Sequence, residues 1–436
     1  MMLSFHPGLN VSRARRKDAR IGNTILIMTD GFLRKPGLVY AAAASLGGVG
    51  ISENVGRGVA AAYEAGLLQQ VIVYGRRGDR IPDHLVTDIG FTPYKFFSWL
   101  PSRYYYSMKR TYLDRVARDY LRKHQTAIFH GLSNECLESL QAARDGGAVA
   151  VLERHFCHPQ HNLEIQAAEY LARDVSWPPP AHPWLTRWDH WTREMGRALE
   201  EINRADYLMV PSQFAADSFI LRGIPPEKVV FQPQGVDLSR FQPQKSGDDT
   251  FRALFVGLLC FRKGLVHLLE AWDRLNLPGA ELLLVGSVHD EVKPYLARYS
   301  HRLDIKIMGF HPDPAALFAE STVFVFPSLS EGGAKVTYEA LAAGLPLIVT
   351  PEAGSVARDG VEGIIIPPRQ AEPLMAALER LYRNPQKVQA MARAARVRAR
   401  HFTWEHYAGR LVAFYRHALA AAGTRFVLPP DLEFDQ

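Results

Sequence analysis

The stretch that decides the fold is VFVFPSLSEGGAKVTYEALAAGLPLIVT, residues 323–350. It opens with the apolar run Val323–Phe326, which is typical of a short buried strand, and a polar turn containing glycine, Ser328–Gly333, follows. The alanine- and leucine-rich segment from Ala334 to Ala343 predicts a helix, and Leu347–Val349 predicts a second strand. A strand, a turn, a helix and a strand in this order indicate a doubly wound α/β domain.

Two glutamates lie on this unit, Glu331 in the turn and Glu339 inside the predicted helix. The first backbone N–H groups of a helix have no helical partners, so this end is predicted to receive an anionic group of a nucleotide. The amides concerned are those of Gly332, Gly333, Ala334, Lys335 and Val336. Glu331 is placed to accept hydrogen bonds from sugar hydroxyls, and Glu339 to reach a ribose. The alternative is an ordinary surface turn followed by a solvated helix with an unrelated acid.

The residues PSLSEGGAKVTYEALAAGLPLIVT, 327–350, resemble the signature of the retaining, nucleotide-sugar-dependent glycosyltransferases of family four. The resemblance implies the GT-B fold, an α/β architecture of two Rossmann-like, doubly wound domains with a deep cleft between them. It also implies transfer of a hexosyl unit from a nucleotide-diphosphate sugar, with no metal ion and no further cofactor. One departure is Gly333-Ala334, where Phe-Gly is common in the family, and it predicts a donor-hexose pocket of different shape.

The other predicted donor contacts lie earlier in the second half of the chain. A turn, Gly257–Gly264, follows the predicted strand Ala253–Val256, and Lys263 in that turn matches the family's basic diphosphate contact. The family's arginine after the first glycine is replaced by Leu258, so Arg262 is predicted to supply that charge, since a guanidinium suits phosphate. Gly309, after another predicted strand, is counted with the donor-binding positions. Fixed cations and open amides would stabilise the charge of the leaving diphosphate.

Two histidines in the first half follow predicted strands. His130 comes after Ala127–Phe129, and His155 after Ala148–Leu152, with Asn134 and Arg154 as their neighbours. Ligands of open α/β sheets bind at the carboxyl ends of strands. The resemblance implies one histidine beside the reacting sugar, and both are candidates; a structural role is the alternative for each.

A glycine loop, Leu46–Gly50, precedes a predicted helix in the first half. It is not a dinucleotide fingerprint, because it does not directly follow the predicted first strand, Ile25–Met28. The resemblance implies that such a loop faces the donor phosphate across the cleft, and Gly48 and Gly50 are the positions carried over. The alternative is a packing loop that needs small residues.

Composition narrows the class of protein. The chain has 436 residues, 47% of them hydrophobic and 22% charged, as expected of two or three globular domains. Three scattered cysteines favour a reduced, cytoplasmic compartment, and the basic start of the chain lacks the apolar core of a signal peptide. The net charge of +6 favours anionic partners such as nucleotide or lipid phosphates. Nucleic acid is not expected as a partner, since no nucleic-acid-binding motif is present.

Two aromatic passages mark the acceptor side. Residues 94–123 predict a basic helix with a stripe of apolar residues, consistent either with a helix packed on the sheet or with a peripheral contact to an anionic membrane. That stripe is Tyr105, Met108, Tyr112, Val116 and Tyr120, and Phe96, Phe97 and Trp99 precede it. Residues 174–191 hold four tryptophans, of which Trp177 could stack on an acceptor sugar while the others form core. The expected acceptor is a saccharide or a lipid-linked saccharide, as in cell-surface or exopolysaccharide synthesis.

The predicted domains are a flexible basic arm (1–20), an acceptor-side Rossmann-like domain (21–241), a linker (242–249), a donor-binding Rossmann-like domain (250–400) and final helices that return to the first domain with a tail (401–436). Two other functions fit part of the pattern. A nucleotide-sugar epimerase shares the fold, and a non-catalytic nucleotide-sugar-binding module would share the donor site.

Overall fold

A computed structural model describes residues 19–21, 24–29, 32–34, 37–90, 102–175, 190–243, 250–421, 426–429 and 432–433. The first strands, β1 (Ala19–Ile21), β2 (Thr24–Thr29) and β3 (Phe32–Arg34), form a small antiparallel sheet. The expected opening strand of the first domain, Ile25–Met28, lies in β2, and this expectation is wrong because β2 pairs only with β1 and β3 among the described strands. Most of the arm 1–20, the aromatic segment 91–101, Trp177 and most of the linker lie outside the described residues.

The first half of the chain forms a seven-stranded parallel sheet in the order β10-β9-β8-β7-β4-β5-β6. Its strands are β4 (Leu38–Ala42), β5 (Leu68–Val73), β6 (Val86–Asp88), β7 (Ile128–Leu132), β8 (Val149–Glu153), β9 (Tyr207–Val210) and β10 (Val229–Phe231). The helices between them are α1 (Ile51–Glu64), α2 (Ser102–Lys123), α3 (Leu137–Asp145), α4 (Pro159–Leu171), α5 (His190–Arg204) and α6 (Gln213–Ile220). The central strands are buried on both faces, as expected of a sheet covered by helices.

Helix α2 packs on this sheet through a stripe shifted by one residue from the expected one. Leu113, Ala117 and Leu121 are buried in the core, while Tyr112 and Val116 only flank it. The predicted stripe of tyrosines is therefore half-buried. Helix α2 packs on the sheet, which is the first of the two alternatives given for residues 94–123.

The second half forms a six-stranded parallel sheet in the order β13-β12-β11-β14-β15-β16. Its strands are β11 (Arg252–Val256), β12 (Glu281–Val285), β13 (Ile305–Gly309), β14 (Val323–Phe326), β15 (Leu347–Val349) and β16 (Gly363–Ile365). Its helices are α7 (Leu265–Arg274), α8 (Lys293–Arg298), α9 (Ala315–Ala319), α10 (Lys335–Ala343), α11 (Ala371–Tyr382) and α12 (Pro385–Ala399). The two strands predicted in 323–350 are confirmed as β14 and β15, and α10 begins one residue later than expected.

The last long helix, α13 (Trp404–Ala420), belongs to the core of the first half. Its buried residues Tyr407, Phe414 and Tyr415 pack with the core of the seven-stranded sheet. The carbonyl of Tyr407 accepts a hydrogen bond from Gln232 Nε2 at 3.0 Å. A Cβ on Gly235 would lie 2.3 Å from the Trp404 ring, so only glycine allows this approach.

The strand order of each sheet shows where a ligand-binding crevice is expected. In both sheets the order reverses beside the first strand of the unit, between β4 and β7 and between β11 and β14. At such a reversal the loops diverge to opposite faces and leave a crevice at the carboxyl ends of the strands. The expected fold class, two doubly wound Rossmann-like sheets, is confirmed. Among the described helices, none is long and apolar enough to cross a bilayer.

Candidate functional site

The turn after β11 lies directly against the turn after β14. Gly264, at the start of α7, has φ 71°, and a Cβ there would lie 1.9 Å from the carbonyl oxygen of Pro327. The amide of Leu329 donates to the carbonyl of Arg262 at 2.8 Å and joins the two turns. A glycine is required at this contact, and it brings Arg262 and Lys263 to the turn that carries Glu331.

Two predicted cations converge on one predicted carboxylate. Arg262 Nη1 lies 2.5 Å from Glu331 Oε1, and the ammonium group of Lys263 pairs with the same oxygen. Ser328 Oγ donates to that oxygen at 3.1 Å, and Arg262 Nη1 also donates to the Ser330 carbonyl at 2.6 Å. The three residues form one cluster at the crevice between β11 and β14, and Glu331 neutralises part of its positive charge.

Burial governs the ionisation of Lys263. Burial lowers the pKa of its ammonium group, Glu331 raises that pKa, and Arg262 lowers it again, so that the net shift is downward. The ammonium nitrogen also lies 4.9 Å from the centre of the Phe326 ring. A cation held in this way is stabilised by an anion beside it, whether carboxylate or phosphate.

The start of α10 offers fewer open amides than expected. The amide of Ala334 donates to the carbonyl of Ala353 at 3.0 Å, which removes one of the five predicted donors because the donor is already paired. Within the described chain, the four remaining amides have no backbone partner; they are those of Gly332, Gly333, Lys335 and Val336. The helix start therefore keeps open donors beside the cation cluster.

The side chains of Lys335 and Glu339 occupy one face of α10. The ammonium group of Lys335 pairs with Glu53 of α1, which joins the second half of the chain to the first. Glu339 is half-buried and forms no hydrogen bond or ion pair with any residue that the structure describes. Burial raises the pKa of Glu339, and Lys335 opposes that shift. An unpartnered carboxyl group in this position is free to accept hydroxyl hydrogen bonds.

The three remaining predicted glycines have different surroundings. Gly50 has φ 64° and directly precedes α1. Glu53 in the first turn of α1 pairs with Lys335 of α10, so the Gly50 loop lies close to the start of α10. A Cβ on Gly48 would lie 2.5 Å from the Cβ of Ser52, which supports the packing alternative at this position. Gly309 ends the edge strand β13 with φ 69°, two strands away from β11.

His130 does not reach the cleft. It is fully buried, its ring stacks on Tyr40 at 4.4 Å between centroids, and both ring nitrogens have partners. Nδ1 lies 2.7 Å from the hydroxyl of Tyr415, and Nε2 lies 3.1 Å from a carboxylate oxygen of Glu153. The expectation of a substrate contact is therefore wrong for His130, because it lies inside β7 and Tyr415 of α13 packs against its ring.

His155 lies where the two halves meet. A Cβ on Gly332 would be 2.0 Å from the carbonyl oxygen of His155, so the two backbones are in direct contact. Its Nε2 lies 3.5 Å from Glu153 and has no hydrogen-bond partner in the described chain. Burial raises the pKa of Glu153, but His155 and His130 outweigh burial and hold the pKa at about 2. A carboxylate thus remains behind His155 over the physiological pH range.

The contact between the halves includes residues that the sequence did not indicate. Ser330 Oγ lies 3.0 Å from Asn162 Oδ1 and 3.3 Å from Cys157 Sγ, and the hydroxyl of Ser212 donates to the Gly332 carbonyl. Ser212 also caps α6, since its Oγ accepts from the Ala215 amide at 3.0 Å. A Pro-Ser pair before a helix is a readable cap signal. Nothing in the sequence marks Asn162 or Cys157.

Both halves of the chain match models of glycosyltransferase families. The family described as glycosyl transferases group 1 matches residues 250–384, and glycosyltransferase family 4 matches residues 60–240. An MMP α-(1→4)-mannosyltransferase from Mycolicibacterium hassiacum is 28% identical over 299 residues, 66% of this chain and 70% of that protein. A D-inositol 3-phosphate glycosyltransferase from Mycolicibacterium paratuberculosis is 28% identical over 64% of this chain and 64% of its own length, just under two thirds.

Solved structures resemble the fold. Sucrose-phosphate synthase from Thermosynechococcus elongatus superposes with a TM-score of 0.63 at 19% identity, covering 88% of this chain and all of that one (100%). Anabaena HepE in complex with UDP superposes with a TM-score of 0.59 at 16% identity, covering 87% and 99%.

Proposed function

Because the chain belongs to the group 1 glycosyl transferases of family 4, we propose that it transfers a hexosyl unit from a nucleotide-diphosphate sugar to a saccharide or lipid-linked acceptor, with retention of anomeric configuration. The observation that carries the proposal is the cluster of Arg262, Lys263 and Glu331 beside the open amides of α10. Cations and amide donors at one crevice suit a diphosphate more than any other common metabolite group.

In this mechanism the second half of the chain holds the donor. Lys263 and Arg262 bind the diphosphate and stabilise the charge that develops as the glycosidic bond breaks. Glu339 accepts the ribose hydroxyls, and Glu331 accepts hexose hydroxyls once the diphosphate engages the two cations. His155, whose backbone touches Gly332, is the histidine of the hexose side. As in the family, the donor phosphate itself assists removal of the acceptor proton, and no metal ion is needed.

A thermal-shift panel of UDP-, GDP- and ADP-sugars tests the donor assignment, because a ligand that binds the folded state raises the unfolding temperature. We expect one nucleotide class to raise it, and the Lys263→Ala and Arg262→Ala variants to lose most of that rise. Lys293→Ala is the matched control, since Lys293 is 64% exposed on α8 of the same half and, among the residues that the structure describes, pairs only with Asp290. A panel without any shift in the wild type, or full shifts in both variants, contradicts the proposal.

Products distinguish the alternatives. A transferase forms a new glycoside, which NMR would assign as retained at the anomeric carbon, and activity would survive EDTA. An epimerase would return an epimeric nucleotide sugar, and a binding module would leave the donor unchanged. Transfer that persists at the wild-type rate in Glu331→Ala would contradict the site.

A peripheral position at the inner face of an anionic membrane, in cell-surface polysaccharide synthesis, is the proposed setting. Helix α2 supports it only in part. Two of its arginines already form ion pairs within the protein: Arg110 with Glu135 and Glu194, and Arg118 with Asp119 and Glu138. Their charge is therefore partly neutralised before any lipid binds.

The exposed cations of α2 supply the test; they are Arg115, Arg122 and Lys123. Replacing all three with alanine should reduce the fraction of protein that sediments with vesicles containing anionic phospholipid. With neutral vesicles, the wild type and the variant should sediment to the same extent. Equal binding of wild type and variant to anionic vesicles would count against membrane contact through this helix.

A further inference from the structure

The last turn of α4 fixes the first half of the chain to the second. Glu169 in that turn is 2% exposed, and its carboxylate pairs with two side chains of the second half, His267 at 3.1 Å and Arg369 at 3.2 Å. It also pairs with Arg173 of its own half at 2.6 Å. Burial raises the pKa of Glu169, but His267 and Arg173 outweigh burial and hold that pKa at about 2. The end of α4 is therefore held against the second half by a carboxylate that stays ionised.

The next residue, Tyr170, contacts the turn that carries the two donor cations. That turn, Phe261–Lys263, lies just before α7. The ring of Tyr170 packs edge-on against the ring of Phe261, with 5.2 Å between centroids, and Phe261 is 1% exposed. The guanidinium carbon of Arg173 lies 5.4 Å from the centre of the same ring. Two side chains of the first half therefore contact the residue that immediately precedes Arg262.

Glu291 connects the hydroxyl of Tyr170 to the backbone of this turn. It lies in the short helical turn Asp290–Val292 after β12. One of its carboxylate oxygens accepts from the Phe261 amide at 2.8 Å, and the other accepts from the Tyr170 hydroxyl and pairs with Nδ1 of His289 at 3.0 Å. The first amides of a helical turn need acceptors from outside that turn, and Glu291 supplies one. Burial and the Glu291 carboxylate raise the pKa of the Tyr170 hydroxyl, so it remains a hydrogen-bond donor at physiological pH.

The position of this turn decides where the donor cations lie. On one side it is joined to the turn that carries Glu331, since the Leu329 amide donates to the Arg262 carbonyl at 2.8 Å. On the other side it is held through the Phe261 amide, one residue before Arg262 and two before Lys263. A displacement of about 1 Å at a reacting group can cost a hundredfold in rate, so both attachments matter for a diphosphate.

We propose that Tyr170 and Glu291 are positioning residues for the donor diphosphate. Tyr170 orients the carboxylate of Glu291, which in turn fixes the amide of Phe261. The turn then presents Arg262 and Lys263 to the diphosphate. The inference rests on the proposed transferase function, since it concerns the donor site of that reaction. It goes further because it makes donor affinity depend on a hydroxyl group of the first half that lies outside the cation cluster.

Calorimetric titration of UDP, GDP and ADP into the wild type and the variants tests the proposal. Tyr170→Phe keeps the ring and removes only the hydroxyl. We expect it to weaken binding of the diphosphate that the wild type prefers by about fivefold or more, because a hydrogen bond to a charged group is lost. Tyr382→Phe is the matched control: it removes a hydroxyl that donates to the Pro278 carbonyl at 2.8 Å, and it should bind like the wild type.

Two variants of Glu291 distinguish the carboxylate from its volume. Glu291→Ala removes the acceptor of the Phe261 amide and should weaken diphosphate binding at least as much as Tyr170→Phe does. Glu291→Gln keeps one oxygen that can accept from that amide, so it should recover part of the affinity. Unfolding temperatures without nucleotide establish that the variants are folded. If Glu291→Ala does not fold, Tyr170→Phe and Glu291→Gln carry the test.

Combination with Arg262→Ala separates a positioning role from a merely structural one. If Tyr170 acts through the turn, its hydroxyl should matter less once the Arg262 side chain is gone, so the two losses of affinity should be less than additive. Fully additive losses would overturn the proposal. It would also be overturned by equal diphosphate affinities in Tyr170→Phe and the wild type, or by an equal loss in Tyr382→Phe.

Binding by the wild type shows which inference fails. If the wild type binds one of the three diphosphates and Tyr170→Phe binds it equally well, only the positioning role fails. If the wild type binds none of them, the proposed donor site fails, and the positioning role fails with it.

Discussion

Replacing Glu331 with glutamine should separate the two tasks of its carboxylate. The substitution keeps the shape of the side chain but leaves Arg262 and Lys263 facing a neutral amide. Removing one partner of a buried ion pair costs about 3 kcal/mol or more. We expect the lower end of that range, because Arg262 keeps its bond to the Ser330 carbonyl. For a domain of this size such a loss corresponds to a fall of roughly 6 °C in the unfolding temperature.

A diphosphate should reverse part of that loss. In the wild type, UDP must compete with Glu331 for the two cations, whereas in the variant the cations have no other anion. UDP should therefore raise the unfolding temperature of Glu331→Gln by more than it raises that of the wild type. Sugar transfer should fall by about a hundredfold, since the hexose loses the carboxylate that positions it.

Thermal unfolding with and without UDP, together with a transfer assay, measures both effects. Glu320→Gln, an exposed glutamate at the end of α9, is the control and should match the wild type in each. A smaller UDP shift in Glu331→Gln than in the wild type would refute the reasoning, because it would mean that the carboxylate assists diphosphate binding instead of competing with it.

Gly332→Ala should strongly reduce sugar transfer, because its Cβ would lie 2.0 Å from the carbonyl oxygen of His155 and force the two halves apart. Gly196→Ala is the control, since a Cβ there meets nothing within 4 Å, and it should leave the transfer rate unchanged. Equal transfer rates for the two variants would contradict the contact between Gly332 and His155. Burial raises the pKa of Glu135 to about 7, and the Ala43 amide and Arg110 oppose this only in part. The stability that this neutral carboxyl group contributes is therefore complete below its unfolded pKa and is lost as pH rises through 7, by up to about 3 kcal/mol. Glu135→Gln should accordingly raise the unfolding temperature at pH 8 and change it little at pH 4, as unfolding scans at both values would show; a difference independent of pH would be inconsistent with the raised pKa.

The two histidines show what sequence reasoning could not resolve. His130 and His155 both follow predicted strands, and each fits the pattern of a ligand at a strand end; in the structure His130 lies inside β7, while His155 follows β8. The structure separates them through Tyr415, which comes from α13 and closes over His130. Helix α13 is far from β7 in the chain, and no local pattern states where it docks.

The start of α10 shows a smaller limit of the same kind. Periodicity predicted the helix and its open amides to within one residue, because helix starts have local signals. The partner of the Ala334 amide is the Ala353 carbonyl, which comes from the loop after the next strand. Hydrogen bonds between loops of neighbouring strands depend on sheet order, so the sequence could not show which amide would be used.

By itself the sequence determined the strand–turn–helix–strand unit at 323–350 and the family resemblance, and it marked Arg262, Lys263 and Glu331 as candidate donor contacts, because each of these depends on a local motif. Tertiary structure alone decided which histidine reaches the cleft, the ion pair of Lys335 with Glu53, and the contact between the Gly332 and His155 backbones. The physical reason is that periodicity records which side of an element is buried, while the element that buries it is selected by packing over the whole chain.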